Sequence, residues 1–174
     1  MPLPGMQMKL FDDIDDPPRP SLWSEEVSKL VAERILPEIV KWMKPRFPIP
    51  ESELEEMKTE ICEAIEFTDD SYEIAKDLET RSHWDVDRDL IHIMDSVSEY
   101  RYQEHNKIVN QWVLSNGVEP KLKIDDQVSF KTNDLGVTSG KITSIFEKTA
   151  NYGIKLDNQP NVVRLVEYER VSLK

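Results

Sequence analysis

One stretch of the sequence brings together side chains that could bind a metal ion. His83, Asp85 and Asp87 lie within five residues and offer an imidazole and two carboxylates. No second segment has paired ligand spacing, and the sequence contains neither an HExxH pattern nor a cysteine cluster. The favoured interpretation is a helix start in which Asp85 or Asp87 caps the first turn. We therefore predict no metal site and no cofactor.

The other candidate catalytic groups lack partners. His92 and His105 are 13 residues apart, which on one helix turns them about 140° from each other. Cys62 lies beside apolar residues, among glutamates that would raise the pKa of its thiol and with no neighbour that would lower it, so we expect a buried structural cysteine. No Gly-x-Ser-x-Gly or phosphate-cradling glycine loop is present. We predict that the protein is not an enzyme, although a carboxylate hydrolase built on residues 51–66 remains an alternative.

The charge is strongly negative and unevenly distributed. The 174 residues include 22 Lys or Arg and 34 Asp or Glu, which gives a net charge of −12. Residues 1–120 hold 13 basic against 27 acidic side chains, whereas residues 121–174 hold 9 against 7. This balance argues against a general nucleic-acid coat and favours a cationic partner. A single cysteine excludes an internal disulfide, and no apolar run approaches the roughly 18 residues of a membrane helix. We expect a soluble cytoplasmic protein with no membrane contact.

Acidic residues are dense in the segment 51–79. They are Glu51, Glu53, Glu55, Glu56, Glu60, Glu63, Glu66, Asp69, Asp70, Glu73, Asp77 and Glu79. Spaced carboxylates can imitate the phosphates of DNA and occupy a basic groove on another protein. The alternative is a solvated helical face. The residues that we select as a partner-binding surface are Glu53, Glu56, Glu60, Glu63, Asp69 and Asp70.

The C-terminal segment carries scattered lysines. Under the alternative that it contacts DNA or RNA, the candidate residues are Lys141, Lys148 and Lys155. Tyr152, Tyr168 and Phe146 would then offer a stacking surface. Lysines also keep strand edges from pairing with other chains, and aromatic residues in a small barrel mostly form its core.

Apolar residues recur at helical spacing in the first two thirds of the chain. The pattern predicts helices over about 24–43, 51–66, 71–80 and 86–115. Residues 1–22, rich in proline and aspartate, are expected to form a disordered tail.

Individual residues refine these helices. Ser24 should cap the first, and Pro37 should kink or break it. Asp69 or Asp70 should cap the third. The side chains expected to face inward from this third helix are Tyr72, Ala75 and Leu78. The polar stretch 101–107 marks a place where the fourth helix could break.

The residue pattern changes at 116–120, where Asn116, Gly117 and Pro120 end the helical part. Beyond it, β-branched residues alternate with polar ones. The strands expected from this alternation cover about 127–131, 140–146, 152–156, 162–165 and 170–173. The chain is therefore predicted to be of the α+β class, with a tail (1–22), an acidic helical domain of three or four helices (23–116) and a five-stranded β-barrel (121–174).

The C-terminal segment resembles the SH3-like barrels, most closely the KOW and Tudor-type modules. The resemblance lies in 124–128, in Gly140-Lys141-Ile142, in 152–157, in 162–164 and in 170–173. In those families a glycine leads the second strand and the last strand closes the barrel. The resemblance implies a fold but not a ligand, because such barrels bind nucleic acid, peptides, modified side chains or nothing.

A short N-terminal peptide resembles the motif by which bacterial replication and repair proteins hold the sliding clamp. Gln7, Met8, Leu10 and Phe11 occupy the four specified positions of that motif. In such peptides Leu and Phe enter an apolar pocket and the Gln amide orients the peptide. The other interpretation is that Leu10, Phe11 and Ile14 pack on the helical domain.

These observations favour a non-enzymatic adaptor or inhibitor that binds a basic or DNA-handling protein through its acidic helices, its tail or both. Small bacteriophage accessory proteins often combine such a surface with a host-binding tail, so a phage-encoded protein acting in the host cytoplasm is one interpretation. The alternative is a nucleic-acid-associated module whose barrel touches DNA or RNA while the tail tethers it to a replication clamp.

Overall fold

The computed structural model describes residues 17–44, 49–132 and 136–174. Within these residues the chain forms five α-helices followed by five β-strands, which confirms the predicted α+β class. It divides into two compact units. The helical unit is Pro20–Ile108, and the sheet unit combines Val109–Lys174 with residues 17–19. The division between the units falls inside the last helix, whereas the residue pattern changes at 116–120.

Most of the helices begin and end where local sequence signals predict. They are α1 (Glu25–Met43), α2 (Leu54–Ala64, after a 3-10 turn at Glu51–Glu53), α3 (Ser71–Arg81), α4 (Arg88–Met94) and α5 (Val97–Asn116). Ser24 caps α1 by accepting a hydrogen bond from the Val27 amide, as predicted. Pro37 does not end α1. Proline has no backbone N–H, so the carbonyl of Glu33, one turn earlier, lacks its helical donor. Because Pro37 is exposed, water can donate to that carbonyl instead.

The predicted fourth helix is in fact two helices, and the break is not at 101–107. A turn at Asp95 and Ser96 interrupts the α-helix: the Ser96 amide donates to the Ile93 carbonyl at 3.2 Å, and the Ser96 hydroxyl donates to the same carbonyl at 2.7 Å. The polar stretch remains helical, and two of its polar side chains, Arg101 and Glu104, are buried with partners. Glu104 accepts hydrogen bonds from Arg34 at 2.9 Å and from Lys107 at 2.8 Å. Burial opposes ionisation of Glu104, but these hydrogen bonds outweigh it and lower the pKa of the carboxyl.

An apolar core of described residues holds the helical unit together. Its fully buried members are Val27, Val31, Ala32, Ile35, Ile39, Ile61, Ile65, Ile74, Leu78, Leu90, Met94 and Val97. Each helix of this unit contributes side chains at helical spacing, so one stripe per helix faces the core. Tyr72 does not belong to that stripe: it is 61% exposed, and Ile74 takes the predicted inward place.

The sheet unit is one antiparallel sheet with the strand order β4-β3-β2-β1-β5. The strands are β1 (Gln127–Thr132), β2 (Gly136–Phe146), β3 (Asn151–Leu156), β4 (Val163–Glu167) and β5 (Val171–Leu173). β2 begins four residues before the predicted 140, because residues 136–139 extend the pairing with β1. The last strand pairs with the first, with Phe130 opposite Val171.

Two apolar clusters stabilise the sheet unit. One face of the sheet buries Val128, Phe130, Ile142, Tyr152, Ile154 and Leu156. A second cluster joins the end of α5 to the sheet through Val109, Val113, Val118 and Ala150. The end of α5 is therefore part of the core of this unit.

Arg19 is an integral part of the sheet unit. Its guanidinium donates to the carbonyls of Thr149 and Ala150 and lies 3.4 Å from the carboxylate of Glu169. The side chain is 9% exposed. Residues 1–22 were expected to be a tail, and Arg19 departs from that expectation because these carbonyls and carboxylates hold it. Residues 1–16 lie outside the described part of the chain.

Position 140 must be glycine because there is no space for a side chain. A Cβ atom there would lie 2.3 Å from the Lys155 carbonyl oxygen, which is backbone and cannot move aside. Gly117 differs, because its φ of +61° favours glycine but nothing lies within 4 Å of the added atom. We expect Gly140→Ala to lower the free energy of unfolding by about 3 kcal/mol and Gly117→Ala by about 1 kcal/mol. Urea denaturation of the two variants measures this difference, and an equal cost for both would contradict it.

Candidate functional site

The connection between α2 and α3, residues 65–70, has a defined conformation. Asp70 caps α3 by accepting hydrogen bonds from the amides of Tyr72 and Glu73, both at 3.0 Å. The Thr68 hydroxyl accepts a hydrogen bond from the Asp70 amide at 3.0 Å. Such local side-chain bonds fix a turn before a helix. The prediction that Asp69 or Asp70 caps α3 is confirmed, with Asp70 in the role.

Arg101 of α5 holds this connection from inside. Its side chain is fully buried, and its guanidinium donates to the Asp69 carboxylate at 2.7 Å and to the Ile65 carbonyl. A third bond reaches the Ser28 hydroxyl at 3.2 Å. The Trp23 ring covers the guanidinium, with its centroid 4.4 Å away. A buried charge is tolerated only when it is paired and hydrogen-bonded in this way.

The tethered connection exposes aromatic side chains. Phe67, between the two points that Arg101 holds, is 82% exposed, and Tyr72 in the first turn of α3 is 61% exposed. Single exposed apolar side chains are ordinary on protein surfaces, so what distinguishes Phe67 and Tyr72 is the backbone that carries them, which the contacts of Arg101 and Asp70 fix. Four acidic residues flank the pair in sequence: Glu63, Glu66, Asp70 and Glu73. We name these six residues the acidic aromatic surface.

The structure divides the six acidic residues selected from the sequence into two groups. Glu53 and Glu56 are exposed and bind no other described residue, and Glu63 is exposed with Arg81 at 3.6 Å. The other three are engaged inside the unit: Glu60 accepts from the Trp84 indole at 2.8 Å, Asp69 binds Arg101, and Asp70 caps α3. These three carboxylates have structural contacts that the sequence did not reveal.

The predicted clamp motif cannot be placed against any element. Gln7, Met8, Leu10 and Phe11 all lie outside the described residues. Their role stays a prediction.

The three candidate nucleic-acid lysines do not form a cluster. Lys141 and Lys155 are partners in the β2–β3 register, so they share one face of the sheet. Lys141 also pairs with Asp125 at 2.7 Å. Lys148 lies in a 3-10 turn beyond the end of β2. Of the three aromatic residues, Tyr152 is buried, Tyr168 is half-buried against it with ring centroids 4.3 Å apart, and Phe146 is 45% exposed.

Two of the three histidines have polar contacts in the structure. Asp87 caps α4, as one of the two predicted options. His92 lies 3.3 Å from Asp95, and His105 lies 3.0 Å from the Pro20 carbonyl oxygen. In residues 17–44, 49–132 and 136–174, no three His, Cys, Asp or Glu side chains are placed to hold a metal ion.

Cys62 is half-buried on α2, somewhat more exposed than expected. Burial raises the pKa of its thiol, Lys29 partly offsets this, and Glu25, Glu66 and Glu63 add to the increase. The expectation that no neighbour lowers this pKa was therefore wrong. The thiolate remains disfavoured, which makes Cys62 a poor nucleophile.

Sequence reasoning missed Arg101 and Phe67. Arg101 lies in a polar stretch, and its acceptors are 32 and 36 residues away, so no local pattern reveals its burial. Phe67 did leave a signal. It lies just before Thr68-Asp69-Asp70, a sequence typical of a helix cap. An apolar side chain in such a connection is seldom buried.

We expect Arg101→Met to lower the free energy of unfolding by about 3 kcal/mol, because it leaves the Asp69 carboxylate and the Ile65 carbonyl without their donor. Hydrogen exchange at residues 66–70 should become faster than in the wild type. Urea denaturation and exchange measured by mass spectrometry test both effects.

Arg88→Met is the matched control, since Arg88 is exposed on α4 and, within the described part of the chain, its side chain makes only a 3.3 Å contact with His92. Its cost should stay below about 0.5 kcal/mol. Unchanged exchange at residues 66–70 in the Arg101→Met variant would show that the guanidinium does not hold the connection.

Among the described residues, no helix is both long and apolar enough to cross a bilayer. Comparisons with protein-family models, with curated proteins and with solved structures found no match to this chain. Its function must be inferred from its own contacts and charges.

Proposed function

We propose that the protein is a non-enzymatic adaptor or inhibitor that binds a basic, DNA-handling protein through the acidic aromatic surface. The observation that carries this proposal is the exposure of Phe67 on a connection that buried Arg101 holds at Ile65 and Asp69. An aromatic side chain on ordered backbone loses little conformational freedom on binding. It can therefore contribute most of its burial energy to the complex.

The charge of the helical unit selects the kind of partner. Residues 20–108 hold 22 acidic and 11 basic side chains, a net charge of −11. A surface in this field attracts cationic proteins, accelerates their association and repels acidic ones. Carboxylates around Phe67 and Tyr72 would meet lysines and arginines of a groove that otherwise receives nucleic-acid phosphates. This supports a DNA-handling protein as the partner.

The aromatic pair and the acidic residues would have different roles. Full burial of one large apolar side chain contributes about 1.5 to 3 kcal/mol, so Phe67 and Tyr72 would supply affinity. Glu63, Glu66 and Glu73 would remain at the rim, where charges act mainly on association rate and on the choice of partner. Glu53 and Glu56 extend the negative surface along α2 and its preceding turn.

The N-terminal peptide would be a second contact. Gln7, Met8, Leu10 and Phe11 resemble the clamp-binding motif, and a clamp is itself a DNA-handling protein. Two linked contacts raise the apparent affinity when both can engage the same assembly. The proposal needs no catalytic residue and no cofactor.

The sheet unit would be an SH3-like barrel. One feature supports this assignment: β5 pairs with β1, as expected of a closing last strand. Gly140, the glycine expected at the start of the second strand, lies inside β2 instead. If the sheet closes into a barrel, its two edge strands, β4 and β5, would face each other across the remaining gap.

The experiment is retention of partner proteins from bacterial lysate on the immobilised full chain. A Phe67→Ser/Tyr72→Ser variant should lose the retained partner or bind it at least about tenfold more weakly, because the apolar contact is removed. Retention by the wild type should also weaken as salt rises from about 0.1 M to 0.5 M. Mass spectrometry identifies the partner, and titration of the purified partner gives the affinities.

Leu114→Ser is the matched control, since Leu114 is 75% exposed but belongs to the sheet unit. It should retain the partner fully. A Leu10→Ala/Phe11→Ala variant tests the N-terminal peptide separately. If the Phe67→Ser/Tyr72→Ser variant retains the same partners as the wild type, the acidic aromatic surface is not the binding site.

A further inference from the structure

β4 is an edge strand with one side left open. In the strand order β4-β3-β2-β1-β5, it pairs with β3 alone among the described residues, and this pairing runs without a register shift. β4 contains neither proline nor lysine, two residues that commonly keep an edge strand from pairing with another chain. The other edge strand, β5, is only three residues long and is followed by Lys174. β4 is therefore the less protected of the two edges.

The hydrogen bonds around β4 show which of its backbone groups point outward. Just before β4, the Val162 carbonyl accepts a hydrogen bond from β3 at 3.2 Å, and just after it, the Tyr168 amide donates at 3.0 Å to the carbonyl that precedes β3. Bonded and non-bonded residues alternate along an antiparallel strand, so Arg164 and Val166 bond to β3. The residues whose amides and carbonyls point away from β3 are Val163, Leu165 and Glu167.

Two exposed apolar side chains share one face of β4. Val163 is 56% exposed and Leu165 is 66% exposed. Leu165 lies opposite Gly153, which has no side chain to cover it, and the Phe146 ring lies 3.4 Å from the position of a Cβ atom added to that glycine. An edge that combines outward backbone groups with apolar side chains is a template for another strand.

We propose that β4 pairs with β4 of a second copy of this chain, antiparallel and about a two-fold axis at Leu165. In this register the two Leu165 residues face each other, and Val163 of each copy faces Glu167 of the other. All five residues of β4 are then paired, and each facing pair of outward residues exchanges two hydrogen bonds. Moving the axis to Arg164 would set two like charges opposite each other, which disfavours that register.

The charges along this edge are complementary to those of a second copy. Lys155 is exposed and lies opposite Val163, and its ammonium group pairs with no acidic side chain of the described residues. Glu167 of the second copy would lie on the other side of Val163, in the same row across the sheet. The long lysine side chain can therefore reach over Val163 toward that carboxylate. The two-fold axis produces this contact twice.

The sheet unit is also the part through which two copies approach at the lower electrostatic cost. Residues 109–174 hold 9 basic and 8 acidic side chains, whereas the helical unit repels its own copy with a net charge of −11. One short strand per copy buries less than the roughly 800 Å² per partner of a standard interface, so the dimer should be weak. A dimer would present two acidic aromatic surfaces, which raises the apparent affinity for an assembly with two matching sites.

The test is sedimentation equilibrium of the full chain from about 1 µM to 500 µM, a range suited to a weak dimer. The average mass should rise from the 20.3 kDa of one chain toward twice that value as the concentration increases. Leu165→Pro should weaken dimerisation at least about tenfold, because proline removes an outward amide and no bond to β3. Leu165→Lys should have a similar effect by setting two charges opposite each other. Lys155→Glu should weaken the dimer about threefold.

Hydrogen exchange measured for each amide by NMR identifies the pairing strand. Exchange at the outward amides of Val163, Leu165 and Glu167 should become slower as the protein concentration rises. The amides of Arg164 and Val166 should be protected at every concentration, because they bond to β3.

Val137→Lys is the matched control, since Val137 is 75% exposed at the start of β2, where it pairs with β1, and this variant should dimerise like the wild type. A mass of 20.3 kDa at every concentration, or a dimer that persists in both Leu165 variants, would overturn the proposal. Protection of the Leu165 amide that does not depend on concentration would also overturn it, because a segment of the same chain would then cover the edge.

Discussion

The buried guanidinium of Arg101 connects three segments of the helical unit. It binds Ser28 of α1, the end of α2 at Ile65, and Asp69 ahead of α3. A charge out of water is stable only while all of these acceptors stay in place, so the position of each segment depends on the others. The exposure of Phe67 follows from this constraint, because the chain on both sides of it is tied inward.

The two units divide the charge of the protein in a way that gives each a different electrostatic character. The helical unit has a net charge of −11, while residues 109–174 hold 9 basic and 8 acidic side chains. The acidic aromatic surface follows this division, since its carboxylates all belong to the helical unit. Because the Debye length is about 8 Å at physiological salt, only charges near this surface contribute much to its potential.

Local signals made much of the fold predictable. Ser24, Asp70 and Asp87 cap their helices because a short polar side chain reaches its own backbone, and this needs no tertiary contact. The strands followed from alternation and turn residues in the same way. The predictions were wrong where contacts between residues far apart in the sequence determine the structure. In α3, the apolar pattern fits Tyr72 or Ile74 inward, and only packing against the other helices selects Ile74.

The candidate site was less predictable than the fold. The acidic character of residues 51–79 was visible, but Glu60, Asp69 and Asp70 turned out to bind Trp84, Arg101 and the start of α3. The sequence shows that a carboxylate is present, but it does not show which hydrogen-bond donor will bind that carboxylate. Arg101 is the clearest case, since its polarity suggested a break in the helix and its burial instead stabilises that helix.

The insertion of Arg19 among residues 149–169 has a consequence for synthesis on the ribosome. The helical unit is one continuous stretch, so it can fold as soon as residue 108 has emerged. The sheet unit must wait longer, because Arg19 binds the Ala150 carbonyl 131 residues later and β1 pairs with β5, which follows the other four described strands. Until then the Arg19 side chain lacks its native acceptors. Translation therefore allows the acidic unit to fold before the residues of the sheet have been made.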